Sequence, residues 1–147
     1  MAQDDLLKRS IYDTRRDTMP GKLHERGLAM RRQVIGAEQV DATMAAADEF
    51  TQPLQKLVNE YVWGAVWARP GLEPRIRSML TISMLTALNR TTELKTHIRA
   101  ALGNGVTREE VSEILLHANV YCGAPAAVEA FRCMREVFAQ DAAGKGA

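Results

Sequence analysis

The segment RIRSMLTISMLTAL, residues 75–88, is the strongest indication of the fold in this sequence. Its apolar residues lie on nearly every side of a helix instead of along one stripe, a pattern typical of a helix at the centre of an assembly. We therefore expect this helix to be central, with the other elements packed around it. A chain of 147 residues that carries such a helix has more apolar surface than one small bundle hides, so we also expect a homo-oligomer.

Two main helices are predicted upstream of this stretch. Residues 22–35 are amphipathic and are followed by Gly36, the residue type that most often stands just beyond a helix. Pro53 stands at a plausible first-turn position of the next helix. Gly64 and the loop RPGLEP, residues 69–74, are expected to break the helical pattern.

Three helices are predicted downstream. The first covers residues 92–102, and the second opens at Thr107, which has the spacing of a capping box with Glu110. The third starts at Pro125 and should bury the stripe Ala127, Phe131, Met134 and Phe138. No segment shows the alternation of a strand, so the predicted fold class is all-α, with six to seven helices.

The turn signal Met19-Pro20-Gly21 divides the chain into parts. We expect residues 1–20 to form an N-terminal extension, either a helical arm or flexible, and residues 21–140 to form a single domain. The tail DAAGKGA, residues 141–147, should fray into disorder.

Composition excludes several classes of protein. The chain is 46% hydrophobic and 25% charged, as soluble globular proteins are, and its net charge of +1 argues against wholesale nucleic-acid binding. No apolar run approaches a membrane span of about 18 residues. The first ten residues, MAQDDLLKRS, carry acids where a signal peptide would be basic, so we expect a cytoplasmic protein.

Metal and thiol chemistry have little support in the sequence. Cys122 and Cys133 fit neither a CxxC redox pair nor a zinc site, and they read as small buried hydrophobes. The three histidines lack metal-ligand spacing, and no nucleotide-binding motif occurs. We therefore expect no metal and no cofactor.

The segment NRTTELKTH, residues 89–97, is the most suggestive candidate site. Glu93 and His97 are separated by four residues, so their side chains project from the same side of a helix and can share a proton. Their stripe borders the core-facing stripe of the same helix, where a pocket wall would lie. The alternative is a solvated pair that adds only a few tenths of a kcal/mol to the helix.

A second candidate segment is WGAVWARPG, residues 63–71. Trp63 and Trp67 stand close to Arg69 and a stiff loop, and aromatic walls with a guanidinium suit a small planar acid. Arg77, like Arg75, adds a cation at a helix N-terminus, where it opposes the macrodipole unless an anion binds there. The alternative is that the tryptophans are core or interface and that Arg69 is surface.

The third candidate segment is LHANVYCGAPAA, residues 116–127. His117 and Tyr121 again stand four residues apart. A histidine beside an apolar face is more often a satisfied structural residue, which is the alternative here.

Together these segments resemble the carboxymuconolactone decarboxylase family, in the alkylhydroperoxidase D-like superfamily. The resemblance covers about residues 22–140 and is carried by WGAVWARPGLEPRIRSMLTISML and NRTTELKTHIRAALGNGVTREEVSEILLHANVYCGAPAA. It implies an oligomeric helical bundle, a ring of six or three subunits.

The thiol peroxidases of the superfamily carry CxxC followed by a histidine on the same helix. When His97 is kept in register, Glu93 and Arg90 stand where those cysteines would be, and Ser78 falls about where that branch has a glutamate proton relay. Disulfide-based peroxide reduction is therefore disfavoured.

The resemblance implies cofactor-independent decarboxylation of γ-carboxymuconolactone to the enol-lactone of 3-oxoadipate, in the protocatechuate branch of aromatic-acid breakdown. Under this hypothesis His97 donates a proton, and Glu93 orients the His97 imidazole. Arg77 and Arg69 grip substrate oxygens. The remaining substrate-binding candidates are Trp63, Trp67, Arg90, His117 and Tyr121.

Other functions stay open at this point. A related cofactor-free decarboxylase or isomerase acting on another small acidic lactone or oxo-acid is the first, because folds do not fix substrates. A thiol peroxidase-like protein and a non-catalytic binding protein are the others.

Overall fold

The computed structural model describes residues 21–144, and every regular element in that range is helical. The all-α prediction is confirmed for this range, while the predicted N-terminal extension lies outside it. The chain divides into two compact units, one ending at Glu73 and one beginning at Pro74. The helices are α1 (Lys22–Ile35), α2 (Ala37–Ala45), α3 (Gln52–Leu57, continuing as the π-helical segment Val58–Trp67), α4 (Pro74–Ala87), α5 (Thr91–Gly103), α6 (Arg108–Cys122) and α7 (Ala124–Gly144).

In the N-terminal unit, α1 packs against the π-helical segment of α3. Helix α1 ends at Ile35, as predicted, because Gly36 has a φ of 106° that residues with a Cβ rarely adopt. Helix α3 begins with Pro53 in its first turn, where the missing N–H costs nothing.

Gly64 was expected to break the helix, and this expectation was wrong. The helix continues through Gly64 to Trp67, and Gly64 is buried. A Cβ at Gly64 would stand 2.4 Å from the carbonyl oxygen of Leu23 in α1. Glycine therefore occupies this position so that two helices can approach closely, and not to end one of them.

The C-terminal unit contains helices α4 to α7 around one apolar core. Thr107 and Glu110 form the predicted capping box at the start of α6, and the side chains predicted for the α7 stripe are buried in the core or packed against it. The largest fully buried aliphatic members are Ile82, Leu94, Ile98, Val111, Leu115 and Val137.

Helix α4 is central to this unit because it contacts α5, α6 and α7, as predicted. Its buried face carries Ser78, Ile82 and Thr86, of which two are polar. The opposite face of α4 is more apolar than the buried face. On it, Leu80 is 46% exposed and Met84 is 56% exposed. The helix therefore presents apolar side chains outward as well as inward.

Helix α7 extends to Gly144, so residues 141–144 are helical and do not belong to a frayed tail. Asp141 accepts a 2.7 Å hydrogen bond from Arg108, which also stacks on the ring of Phe138. The Arg108–Asp141 hydrogen bond connects the end of α7 to the start of α6. No helix in the described range is long and apolar enough to cross a membrane.

Candidate active site

Helix α5 places Glu93 and His97 one turn apart. Leu94, Ile98 and Ala101 on the neighbouring stripe are buried in the core. This anchoring holds Glu93 exposed and His97 half-buried at the edge of the core. Arg90 stands at the N-cap of the same helix, where its carbonyl accepts the first backbone bond, from Leu94.

His97 is acidified by its surroundings. Burial lowers the pKa of the imidazole below its ordinary 6.5, because the charged form loses solvation, while the Glu93 carboxylate partly offsets this effect. The imidazolium of His97, when formed, is therefore a stronger acid than that of a solvated histidine.

The π-helical segment brings Trp63 and Trp67 together in the N-terminal unit. Their ring centroids are 4.8 Å apart with planes tilted by 33°. The two side chains are only 4% and 7% exposed, so the pair is packed in the interior of this unit. Arg69 follows within the same unit and is half-buried.

His117 and Tyr121 form a second ring contact, on α6 of the C-terminal unit. Their centroids lie 5.0 Å apart, and Tyr121 is 76% exposed. His117 also lines a cavity of about 500 Å³ between α4 and α6, whose other walls include Ile76, Leu80 and Ile114.

The two arginines near the start of α4 differ in what they do. Arg75 donates to the carbonyl of Gly105 at 3.2 Å and forms an ion pair with Glu110, so it ties α4 to the α5–α6 turn. Arg77, two residues further along the helix, is half-buried, and its role in binding an anion stays a prediction.

A hydrogen bond between buried Ser78 of α4 and half-buried Asn104 is not predictable from the sequence. Ser78 is fully buried, and its Oγ accepts a 3.2 Å hydrogen bond from the Nδ2 of Asn104. The Gly-Asn-Gly pattern around Asn104 signals only a turn, and nothing in it indicates that the asparagine reaches back to α4.

The cysteines are poorly placed for redox chemistry. They lie on different helices, because α6 ends at Cys122 and Gly123 separates it from α7. Cys133 is buried, and this burial raises the pKa of its thiol, which opposes formation of the reactive thiolate. Within residues 21–144 no three His, Cys, Asp or Glu side chains cluster as metal ligands would.

The described fold is all-helical, and α5 carries Glu93 and His97 one turn apart. The family model described as Carboxymuconolactone decarboxylase family matches residues 52–136. The chain belongs to this family.

Three relatives are similar to this chain over most of their length. A nitrosuccinic acid decarboxylase of Metarhizium robertsii is 42% identical over 118 residues, which are 80% of this chain and 82% of the relative. A 4-carboxymuconolactone decarboxylase of Acinetobacter baylyi is 40% identical over 115 residues, 78% of this chain and 86% of the relative. An uncharacterized 15.0 kDa protein of Paracoccus denitrificans is 28% identical over 116 residues, 72% of this chain and 87% of the relative. The two relatives with a named reaction are both decarboxylases, and the enzyme class of this chain is a carboxy-lyase.

Proposed function

We propose that the chain decarboxylates γ-carboxymuconolactone to the enol-lactone of 3-oxoadipate, without a cofactor, in the breakdown of protocatechuate. The observation that carries this proposal is the Glu93–His97 pair at the edge of the core, with its lowered imidazole pKa. The relative named for this substrate supports it with 40% identity.

The reaction needs an electron sink and a proton. The bond between the carboxylate and the ring carbon breaks, carbon dioxide leaves, and the electron pair passes through the unsaturated lactone to its carbonyl oxygen as a dienolate. A proton then returns to carbon. Donors positioned at such a developing oxyanion contribute roughly 3–4 kcal/mol each.

His97 supplies this proton as the imidazolium, and solvent reprotonates it for the next cycle. Glu93 orients the ring and stabilises its charged form. An anionic substrate close to the imidazole further favours the imidazolium, which compensates for the cost of burial.

The remaining side chains bind the substrate in this proposal. Arg77, Arg69 and Arg90 provide cations for the carboxylate and the lactone oxygen. The packed rings of Trp63 and Trp67 form an apolar wall, and His117 with Tyr121 contributes a further ring pair.

The 42% identity to a nitrosuccinic acid decarboxylase favours a second candidate substrate. A carboxylate on a carbon that bears a nitro group leaves its electron pair on the nitro oxygens as a nitronate, which then takes a proton on carbon. The two substrates therefore require the same proton donor and the same stabilisation of an oxyanion.

The proposal is tested by supplying each substrate separately to the purified enzyme and measuring carbon dioxide release. We expect the higher kcat/KM with γ-carboxymuconolactone. A higher kcat/KM with nitrosuccinate would replace the proposed substrate by the second candidate. Release from neither compound would contradict both.

We also propose that the enzyme is a cytoplasmic homo-oligomer, a hexamer or a trimer. The support is the outward apolar face of α4, formed by Ile76, Leu80 and Met84. Patches of this kind on soluble proteins are usually covered by a partner.

A further inference from the structure

The π-helical segment Val58–Trp67 is the least ordinary element of the described chain. π-Helical hydrogen bonds join residues five apart, are rarely sustained beyond a single turn, and occur often at functional sites. Here they extend over ten residues, and the N–H of Ala68 still bonds to the carbonyl of Trp63 at 2.9 Å. An α-helix is the more stable alternative, so something outside the segment must favour the π register.

Helix α1 contacts this segment at its hydrogen-bond ladder. A Cβ on Gly27 would stand 1.8 Å from the carbonyl oxygen of Asn59 and 2.8 Å from the backbone nitrogen of Gly64. Asn59 and Gly64 are five residues apart, the separation that a π-helix joins. Gly27 therefore packs directly on a π-type pair of backbone groups.

Arg26 bonds to the same segment one residue before Gly27. Its Nη2 donates to the carbonyl oxygen of Gly64 at 2.9 Å. If the π-helix continued, the Gly64 carbonyl would accept a hydrogen bond from the N–H of Arg69. The helix ends before Arg69, however, and the Arg69 N–H donates to the Val66 carbonyl instead. The Arg26 guanidinium therefore supplies the donor that the Gly64 carbonyl lacks at the end of the helix.

Arg31 adds a contact one turn further along α1. Its Nη1 donates to Asn59 Oδ1 and to Gln55 Oε1, both at 2.9 Å, and Asn59 is fully buried. Arg26 and Arg31 therefore hold the two ends of the stretch from residue 59 to residue 64.

We propose that Arg26 is a positioning residue that keeps the segment in π register and so sets the geometry of the Trp63–Trp67 pair. Trp63 immediately precedes the glycine that Arg26 holds, and Trp67 is one turn further on. If the segment returned to α register, Trp67 would rotate about the helix axis relative to Trp63. The contact at 4.8 Å and 33° would then be lost.

Circular dichroism tests this proposal directly. Trp63 and Trp67 are the only two tryptophans of the chain, and rings this close give an exciton couplet that depends on their mutual angle. Arg26→Met and Arg26→Gln, which should not reach the Gly64 carbonyl, are expected to lose most of the couplet while keeping their helix content. Arg26→Lys should restore part of it, because its ammonium can donate to the same oxygen.

A matched control is Arg32→Met on the same helix. Arg32 pairs with Asp41 at the surface, so the couplet should stay unchanged. An unchanged couplet in either Arg26→Met or Arg26→Gln would overturn the proposal. If one of these two variants fails to fold, the other decides.

A second measurement rests on the proposed function, in which the tryptophans bind substrate. Arg26→Met should raise KM for γ-carboxymuconolactone by about fivefold and change kcat by less than about twofold. A lost couplet with unchanged KM would overturn the link to substrate binding. If wild type releases no carbon dioxide, the proposed function fails, and the couplet still tests the positioning role.

Discussion

Two opposing influences act on the imidazole of His97: burial lowers its pKa and the Glu93 carboxylate raises it. The pH dependence of kcat/KM reports the pKa values of catalytic groups in the free enzyme, so it should report the pKa of His97 that results from these two influences. If the imidazolium is the acid, kcat/KM falls as pH rises through a midpoint below 6.5.

Glu93→Gln removes the influence that raises the His97 pKa. We therefore expect the midpoint of kcat/KM to shift to lower pH, because the imidazolium loses its stabilising carboxylate. The measurement is a pH profile of kcat/KM for both proteins. A midpoint that stays in place or moves upward would show that Glu93 does not act on the proton donor.

His97→Gln keeps a polar side chain of similar size and removes the proton donor. General acid catalysis contributes about a hundredfold or more, so kcat should fall by that amount. His24→Gln on α1 is the matched control and should keep wild-type kcat. A kcat for His97→Gln within about threefold of wild type would rule out the proton-donor role.

Arg77→Met removes the half-buried cation of α4 but keeps most of its apolar stem. We expect kcat/KM to fall by about tenfold or more. Arg99→Met, which removes a surface arginine bonded to Gln140, is the control. An unchanged kcat/KM for Arg77→Met would remove this residue from the site.

Among the elements, α6 has the best-defined start. The Oγ of Thr107 accepts from the Glu110 N–H at 3.1 Å, and the Glu110 carboxylate accepts from the Thr107 N–H at 2.9 Å. Thr107→Ala should lower the free energy of unfolding by about 1 kcal/mol, measured by denaturant titration. Ser112→Ala, inside the same helix, should leave it nearly unchanged, and equal effects of the two substitutions would contradict the capping role.

Local signals explain which elements could be predicted from the sequence. The end of α1 at Gly36, the proline at the start of α3 and the capping box of α6 depend on residues close in the chain, so the sequence is sufficient for them. The role of Gly64 cannot be predicted from nearby residues, because it depends on Leu23, which is distant in sequence. The π register depends on α1 in the same way.

The candidate site is likewise predictable from the sequence only in part. The shared face of Glu93 and His97 follows from their spacing on a helix. The burial that acidifies His97 and the bond between Asn104 and Ser78 depend on how α5 packs in the core. Helical spacing alone does not contain this information.

For the whole molecule, the outward apolar face of α4 is the feature that favours an oligomer. Met84 is 56% exposed on this face, and a charge there would disfavour burial against a second copy. Met84→Glu is therefore expected to reduce the molar mass measured by light scattering. The control Gln33→Glu, on exposed α1 surface, should not. A monomeric wild type would contradict the predicted oligomer.

The activity proposed for this chain is the cofactor-free decarboxylation of γ-carboxymuconolactone. The most direct test generates this lactone enzymatically and follows its ultraviolet absorbance with and without purified protein, in the presence of a metal chelator. We expect rapid loss of the lactone with equimolar release of carbon dioxide only when the protein is present. An equal rate of loss with and without the protein would contradict the proposed activity.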